Sequence, residues 1–180
     1  MKKMLFVLTF VVVLLFVSCI VTADFSKLYH LALNAIANGS KETALDYSFR
    51  LKGLAKGPEQ LSMAYMISGY SYFLNGNYSD ALREFDTSDD YLFSQEACGG
   101  IILTTFMLNQ YDLVSGHLNA LNTFEDEWLF TVNTETLNKS RLYEICALSL
   151  AIRKNQVEFD ALKTKVSPEK MQEMEVFFFE

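Results

Sequence analysis

The stretch that decides the fold is Tyr65–Ser88, which reads YMISGYSYFLNGNYSDALREFDTS. Two apolar helical patterns lie on either side of the segment NGN. Gly76 can adopt the left-handed backbone conformation that ends a helix, and Asn77 can cap the helix that follows. The stretch therefore predicts two helices that are joined by a tight turn.

Small and large side chains alternate in these two helices. Gly69 in the first helix and Ala81 in the second are small where two helices have to approach each other closely. Tyr72, Tyr78 and Phe85 provide large side chains that fill the space left by the small ones. We therefore expect these five residues to pack the pair together.

This pattern resembles a tetratricopeptide repeat, although Tyr65 replaces the family's preferred Trp and no Pro follows the second helix. The resemblance implies an all-α fold, a right-handed helical solenoid of three to four helix pairs plus a C-terminal helix. It places the repeats at about 26–56, 58–92, 93–124 and 134–166, and a C-terminal capping helix at 168–180.

Neighbouring segments repeat the plan at similar spacing. Ala44 precedes Ala81 by 37 residues, close to the family period of about 34 residues. Tyr111 follows Tyr78 by 33 residues. The third copy departs from the pattern at Val114, where Ala would be expected, and Gly99-Gly100 is expected to weaken its first helix.

The fourth unit matches the pattern least well. A long helix is expected from about Thr134 to Lys154, after a segment 125–133 that is either a connection or a one-turn helix. Asn155 then opens a shorter helix. Ser167-Pro168 is a typical helix start and begins the C-terminal helix that closes the stack.

An apolar run from Met4 to Ala23 follows Lys2 and Lys3. Three outcomes are open: signal-peptide cleavage after Ala23, acylation of Cys19 in a segment that resembles a bacterial lipoprotein box, or retention as a membrane anchor. All three place residues 24–180 outside the cytosol, in a periplasm, on the outer side of a membrane or secreted. Residues 1–23 are therefore predicted to be a signal peptide or a membrane anchor.

The remainder of the chain is acidic. Residues 24–180 carry 13 basic and 22 acidic side chains, a formal net charge of −9. Such a surface repels the phosphates of nucleic acids, and the sequence has no basic run that would override this repulsion. Binding to nucleic acid is therefore not expected.

Signatures of catalysis and metal binding are absent from the sequence, which contains no HExxH, P-loop, GxGxxG or GxSxG pattern. His30 and His117 lie on separate predicted helices and are interpreted as packed or solvated side chains. We therefore expect no catalytic residue, metal or cofactor. Cys98 and Cys146 lie in apolar helical stretches, which leaves open a disulfide or two buried thiols.

The family resemblance implies a concave groove that is lined by the first helix of each repeat. The residues predicted on this face are Tyr29, Leu33, Met63, Met66, Tyr70, Phe73, Leu103 and Phe106. Aromatic and Met side chains adapt to apolar helices and extended peptides. The predicted function is therefore a non-enzymatic scaffold or adaptor for a protein or peptide partner. The alternative is a structural or homo-oligomeric envelope component whose own C-terminal helix, which carries three Phe residues, fills the groove.

Overall fold

The structure is a computed structural model that describes residues 24–179. Cys19 and Ala23, the residues of the predicted N-terminal processing, lie outside the described residues. The prediction of a mainly helical chain is confirmed, with the addition of one two-stranded sheet. Within residues 24–179, each helix is too short or too polar to cross a lipid bilayer.

The helices are, in chain order, α1 (Phe25–Ala37), α2 (Lys41–Leu54), α3 (Pro58–Leu74), α4 (Tyr78–Tyr91), α5 (Gln95–Met107), α6 (Tyr111–Gly116), α7 (Leu118–Asn122), α8 (Lys139–Ile152), α9 (Gln156–Ala161) and α10 (Pro168–Glu175). Strands β1 (Leu129–Val132) and β2 (Glu135–Asn138) form an antiparallel hairpin between α7 and α8, in which Leu129 pairs with Asn138. A 3₁₀ turn, Val176–Phe178, follows α10.

Four interhelical turns share one backbone geometry. In each turn a residue with positive φ is followed by a residue whose amide donates to the carbonyl five positions earlier. This is the left-handed ending that satisfies the free carbonyls at a helix C terminus. The residues with positive φ are Gly39, Gly76, Asn109 and Lys154. The turns join α1 to α2, α3 to α4, α5 to α6 and α8 to α9, and so define four helix pairs.

Equivalent positions of the four pairs are buried in the same way. The fourth residue of each second helix has no exposed surface; these residues are Ala44, Ala81, Val114 and Phe159. The first helix of each pair also contacts the first helix of the next, α1 with α3, α3 with α5 and α5 with α8. One hydrophobic core therefore runs through all four pairs.

The second and third pairs are joined tightly around Phe85, which has no exposed surface. Its ring lies against Gly69 of α3 and Gly100 of α5, and a Cβ atom added at Gly69 would lie 2.5 Å from Phe85 Cδ1. Helix α5 is continuous across Gly99 and Gly100, the pair that was expected to weaken it. Gly100 instead makes room for an aromatic ring from α4.

The cap predicted at Asn77 differs in detail. Asn77 stands at the N-cap position of α4, but its side chain makes no capping bond to the backbone of the helix. Its amide nitrogen instead donates to the carboxylate of Asp80 at 2.6 Å. The turn is therefore held mainly by the backbone bonds around Gly76.

The predicted helix start at Thr134 is wrong, and with it the boundary at 134 for the fourth repeat. Asn133 and Thr134 have φ of 49° and 68° and form the two-residue loop of the hairpin. Positive φ at both loop residues matches the right-handed twist of hairpin strands. Helix α8 begins only at Lys139, where the side chain of Asn138 accepts from the amide of Arg141 at 2.8 Å.

Candidate binding groove

The eight predicted groove residues do not form one open surface. Met66 and Tyr70 are buried. Tyr29, Leu33, Met63, Phe73, Leu103 and Phe106 are half-buried. Two of these six lie at the turns, because the ring of Phe73 packs on Tyr78 and the ring of Phe106 packs on Tyr111, with centroids 5.4 and 5.5 Å apart.

The turn of the hairpin docks on the C-terminal end of α1. The amide of Asn133 donates to the carbonyl of Ile36 at 3.0 Å, and the amide of Thr134 donates to the carbonyl of Ala37 at 2.7 Å. These are carbonyls that a helix end leaves without an intrahelical partner. The side chain of Asn133 lies directly against Gly39, where a Cβ atom would collide with it. The hairpin turn therefore completes the end of α1.

The first strand of the hairpin lies over the C-terminal half of α3. The ring of Phe130 lies 4.6 Å from the ring of Tyr70, whose other neighbour is Phe85 at 4.8 Å in an edge-to-face arrangement. The Tyr70 hydroxyl donates to the main-chain carbonyl of Glu96 at 2.7 Å, so its polar end is satisfied although the ring is buried. The hairpin therefore closes the face on which Tyr70 was predicted to meet a partner.

Trp128 fastens the start of the hairpin to α5. The indole is 7% exposed, lies against Gly99, and donates from Nε1 to Glu96 Oε1 at 3.2 Å. The preceding loop is held by Lys139, whose Nζ donates to the carbonyl of Phe124 at 2.7 Å. The hairpin is thus attached to α1 at its turn, to α3 at Phe130 and to α5 at Trp128.

The C-terminal helix lies elsewhere in the single chain. Helix α10 contacts α8, and the ring of Phe178 packs edge-to-face on Phe159 with centroids 5.0 Å apart. The expectation that the chain's own C-terminal Phe residues fill the groove is therefore wrong within one chain, because the hairpin takes that place. Filling of the groove of a second copy stays a prediction.

Sequence reasoning missed Trp128 and Phe130 as occupants of the groove. The available signal was the segment Leu129–Val132, in which β-branched and aromatic residues predominate, as is typical of a strand. It was obscured because the turn residues, Asn133 and Thr134, lack the Gly that usually marks a two-residue hairpin loop.

A cleft of about 390 Å³ remains open at the N-terminal ends of α1 and α3. Its apolar wall contains Phe25, Tyr29 and Met63, and the rings of Phe25 and Tyr29 are stacked at 6.3 Å. The carboxylates of Asp24 and Glu59 lie at its rim and are exposed. The complete lining is Asp24, Phe25, Ser26, Tyr29, His30, Glu59, Gln60 and Met63. Of the eight predicted groove residues, Tyr29 and Met63 line this cleft.

Burial, reinforced by the negative charge of Glu96, raises the pKa of Tyr29 to about 12 and also raises the pKa of Tyr70. In the unfolded chain both phenols ionise near pH 10. The contribution of Tyr29 to stability is therefore complete below pH 10 and is lost as the pH rises from 10 to about 12. We expect the free energy of unfolding to fall over this range in denaturant titrations. The fall should be smaller in Tyr29→Phe; an equal fall would show that Tyr29 ionises as freely in the folded state.

A second cleft, of about 280 Å³, lies on the outer side between α4, α5 and α6 and contains His117. Burial lowers the pKa of His117, and the nearby carboxylates of Asp86 and Asp89 oppose this shift. The imidazole is therefore mainly neutral at pH 7.

The thiols of Cys98 and Cys146 are buried and unbridged, and burial raises the pKa of Cys146 to about 12. Such a thiol is a poor nucleophile.

The described part of the chain, residues 24–179, contains no group of three or more His, Cys, Asp or Glu side chains that could hold a metal ion. The described residues form a mainly helical fold in which the cleft beside Tyr29 and Met63 is open. Comparison of the chain with protein-family models, with curated proteins and with solved structures finds no match.

Proposed function

We propose that this chain is an exported, non-enzymatic protein-binding module built as a right-handed, tetratricopeptide-like solenoid. The observation that carries the proposal is the recurrence of one turn geometry at Gly39, Gly76, Asn109 and Lys154. Each turn joins two helices, and each first helix packs on the next, as expected for stacked repeats. Stacks of this kind present a continuous face to partner proteins, which makes binding the function class that fits best.

The cleft beside Tyr29 and Met63 is the proposed docking site. Its wall is aromatic and aliphatic, and Met side chains adapt to apolar partners of different shape. Two exposed carboxylates, Asp24 and Glu59, lie at the rim. The partner segment is therefore an apolar helix or extended peptide that carries a basic side chain next to its apolar residues.

The proposed place of action is outside the cytosol. The apolar run of residues 4–23 supports export, and it ends directly before Asp24 at the rim of the cleft. Under this proposal the cleft of an anchored chain would lie near the membrane surface. Intact-mass measurement on the protein from its host distinguishes an N terminus at Met1, at an acylated Cys19 or at Asp24.

Photo-crosslinking from the full chain in its native host tests the docking site. Benzoylphenylalanine replaces Met63 in the cleft or, as a matched control, Phe49, which is 55% exposed on α2. We expect an adduct of defined mass from position 63 only, and its loss when Glu59→Lys reverses the charge at the rim. Equal adducts from both positions, or none from position 63, would overturn the proposal. An adduct of twice the chain mass would instead favour the homo-oligomeric alternative.

A further inference from the structure

We propose that the segment Tyr91–Phe93, at the C-terminal end of α4 and the start of the connection to α5, inserts shallowly into the lipid surface when the chain is anchored. This inference rests on the anchored or acylated form of the exported protein proposed above, in which residues 1–23 hold the chain at a membrane. The side chains of Tyr91, Leu92 and Phe93 are 41%, 52% and 48% exposed. Three consecutive large side chains are thus partly exposed at the end of α4, although the ring of Tyr91 also stacks on Tyr65 of α3 with centroids 5.7 Å apart.

This segment lies on the same edge of the molecule as the start of the described chain. The hydroxyl of Ser62 in α3 donates to the carbonyl of Leu92 at 3.0 Å. Asp24 shares its cleft with Glu59 and Met63, which are the neighbours of Ser62 in the first turns of α3. Because a helix is about 10–12 Å wide, the apolar segment and Asp24 lie about one helix apart. An anchor that ends at residue 23 therefore holds this edge near the bilayer.

The size of the apolar segment favours lipid over a protein partner. Three half-exposed side chains offer roughly 300 Å² of apolar surface. A stable protein interface buries about 800 Å² on each partner, so this segment alone is too small for one. Shallow insertion of a few aromatic and aliphatic residues is sufficient when a second attachment already holds the chain at the membrane.

Charge selects the kind of lipid surface. Asp89 and Asp90 are exposed in the last turn of α4, directly before the segment, and Glu59 is exposed on α3. Two exposed cations, Lys27 and Lys56, lie close in sequence to Asp24 and Glu59. The excess of carboxylates repels anionic headgroups. The segment therefore fits a zwitterionic surface better than an anionic one.

The test uses the full chain in phosphatidylcholine vesicles, with an environment-sensitive NBD label on Phe93→Cys. The matched control carries the label on Phe49→Cys, an equally large and exposed residue on α2. Cys98 and Cys146 are buried and escape labelling, and Cys19 is replaced by Ser in both variants. We expect a blue shift and several-fold stronger quenching by brominated lipid at position 93 only, and weaker quenching when phosphatidylglycerol is added. Leu92→Cys provides a second probe if Phe93→Cys does not fold.

The outcomes separate this inference from the proposal on which it rests. If the chain floats with the vesicles but labels at 92 and 93 remain in water, the inference is wrong and the anchor stands. If the chain with Cys19 in place, prepared from its host, does not float with the vesicles either, the anchoring through residues 1–23 and the inference both fail. A blue shift that appears without lipid and grows with protein concentration would assign the segment to contacts between copies, which also overturns the inference.

Discussion

Gly69→Leu should lower the free energy of unfolding by about 2–4 kcal/mol, because a side chain at this position has no space. A Cβ atom would lie 2.5 Å from the ring of Phe85, which is itself completely enclosed by α3, α4 and α5. The ring cannot move away without disturbing Gly100 and Tyr70 on its other sides. For a domain of this size the loss corresponds to a fall of roughly 5–15 °C in Tm.

The matched control is Gly53→Leu. Gly53 lies within α2, is exposed, and has no atom within 4 Å of an added Cβ. Because Leu has a higher helix propensity than Gly, this variant should be as stable as the original chain or more stable by up to about 1 kcal/mol. Urea denaturation followed by far-UV circular dichroism compares the two. Equal stability of the two variants would show that α3 and α4 do not pack through Gly69 and Phe85.

Trp128→Ala should cost about 3–5 kcal/mol, as expected when a buried aromatic side chain is removed. The indole fills the space beside Gly99 and contacts the ring of Phe124 at 5.1 Å. Its loss also removes the bond from Nε1 to Glu96, which fastens the hairpin to α5. We therefore expect a second effect. Compared with the original chain, amide exchange in Trp128→Ala should become faster throughout β1 and β2, and this increase should be larger than any increase in α3.

Trp128→Phe separates the two contributions of the indole. It retains much of the ring packing and loses the hydrogen bond to the Glu96 carboxylate, which is worth about 1.5–3 kcal/mol. The stability of this variant should lie between those of the original chain and Trp128→Ala. If Trp128→Ala unfolds at the same denaturant concentration as the original chain, the hairpin is not attached to the helices as described.

The turns between paired helices could be predicted where the sequence has a glycine, which readily adopts positive φ. Gly39 and Gly76 follow Asn in the pattern Asn-Gly, and both adopt the positive φ that the pattern indicates. Lys154 has the same conformation at φ 56° without any such signal. There the tertiary packing of α8 and α9 overrides the local preference of the residue.

The candidate site could be predicted only in part, because the groove was inferred from the spacing of residues within each helix pair. That spacing locates Tyr29 and Met63, which do border the open cleft. It contains no information on the segment between the third and fourth pairs. That segment forms the hairpin, which places Phe130 on Tyr70 and so affects which residues of the inner face remain accessible.

Amide hydrogen exchange at Asn133 and Thr134 tests most directly whether the hairpin closes the groove. These two residues form the hairpin loop, outside the paired positions of its strands, and their amides donate instead to the carbonyls of Ile36 and Ala37 on α1. Exchange at both amides should therefore be slowed to the level of the neighbouring strands. Exchange at the rate of a free peptide, with β1 and β2 still protected, would show that the hairpin forms but does not lie across the helices.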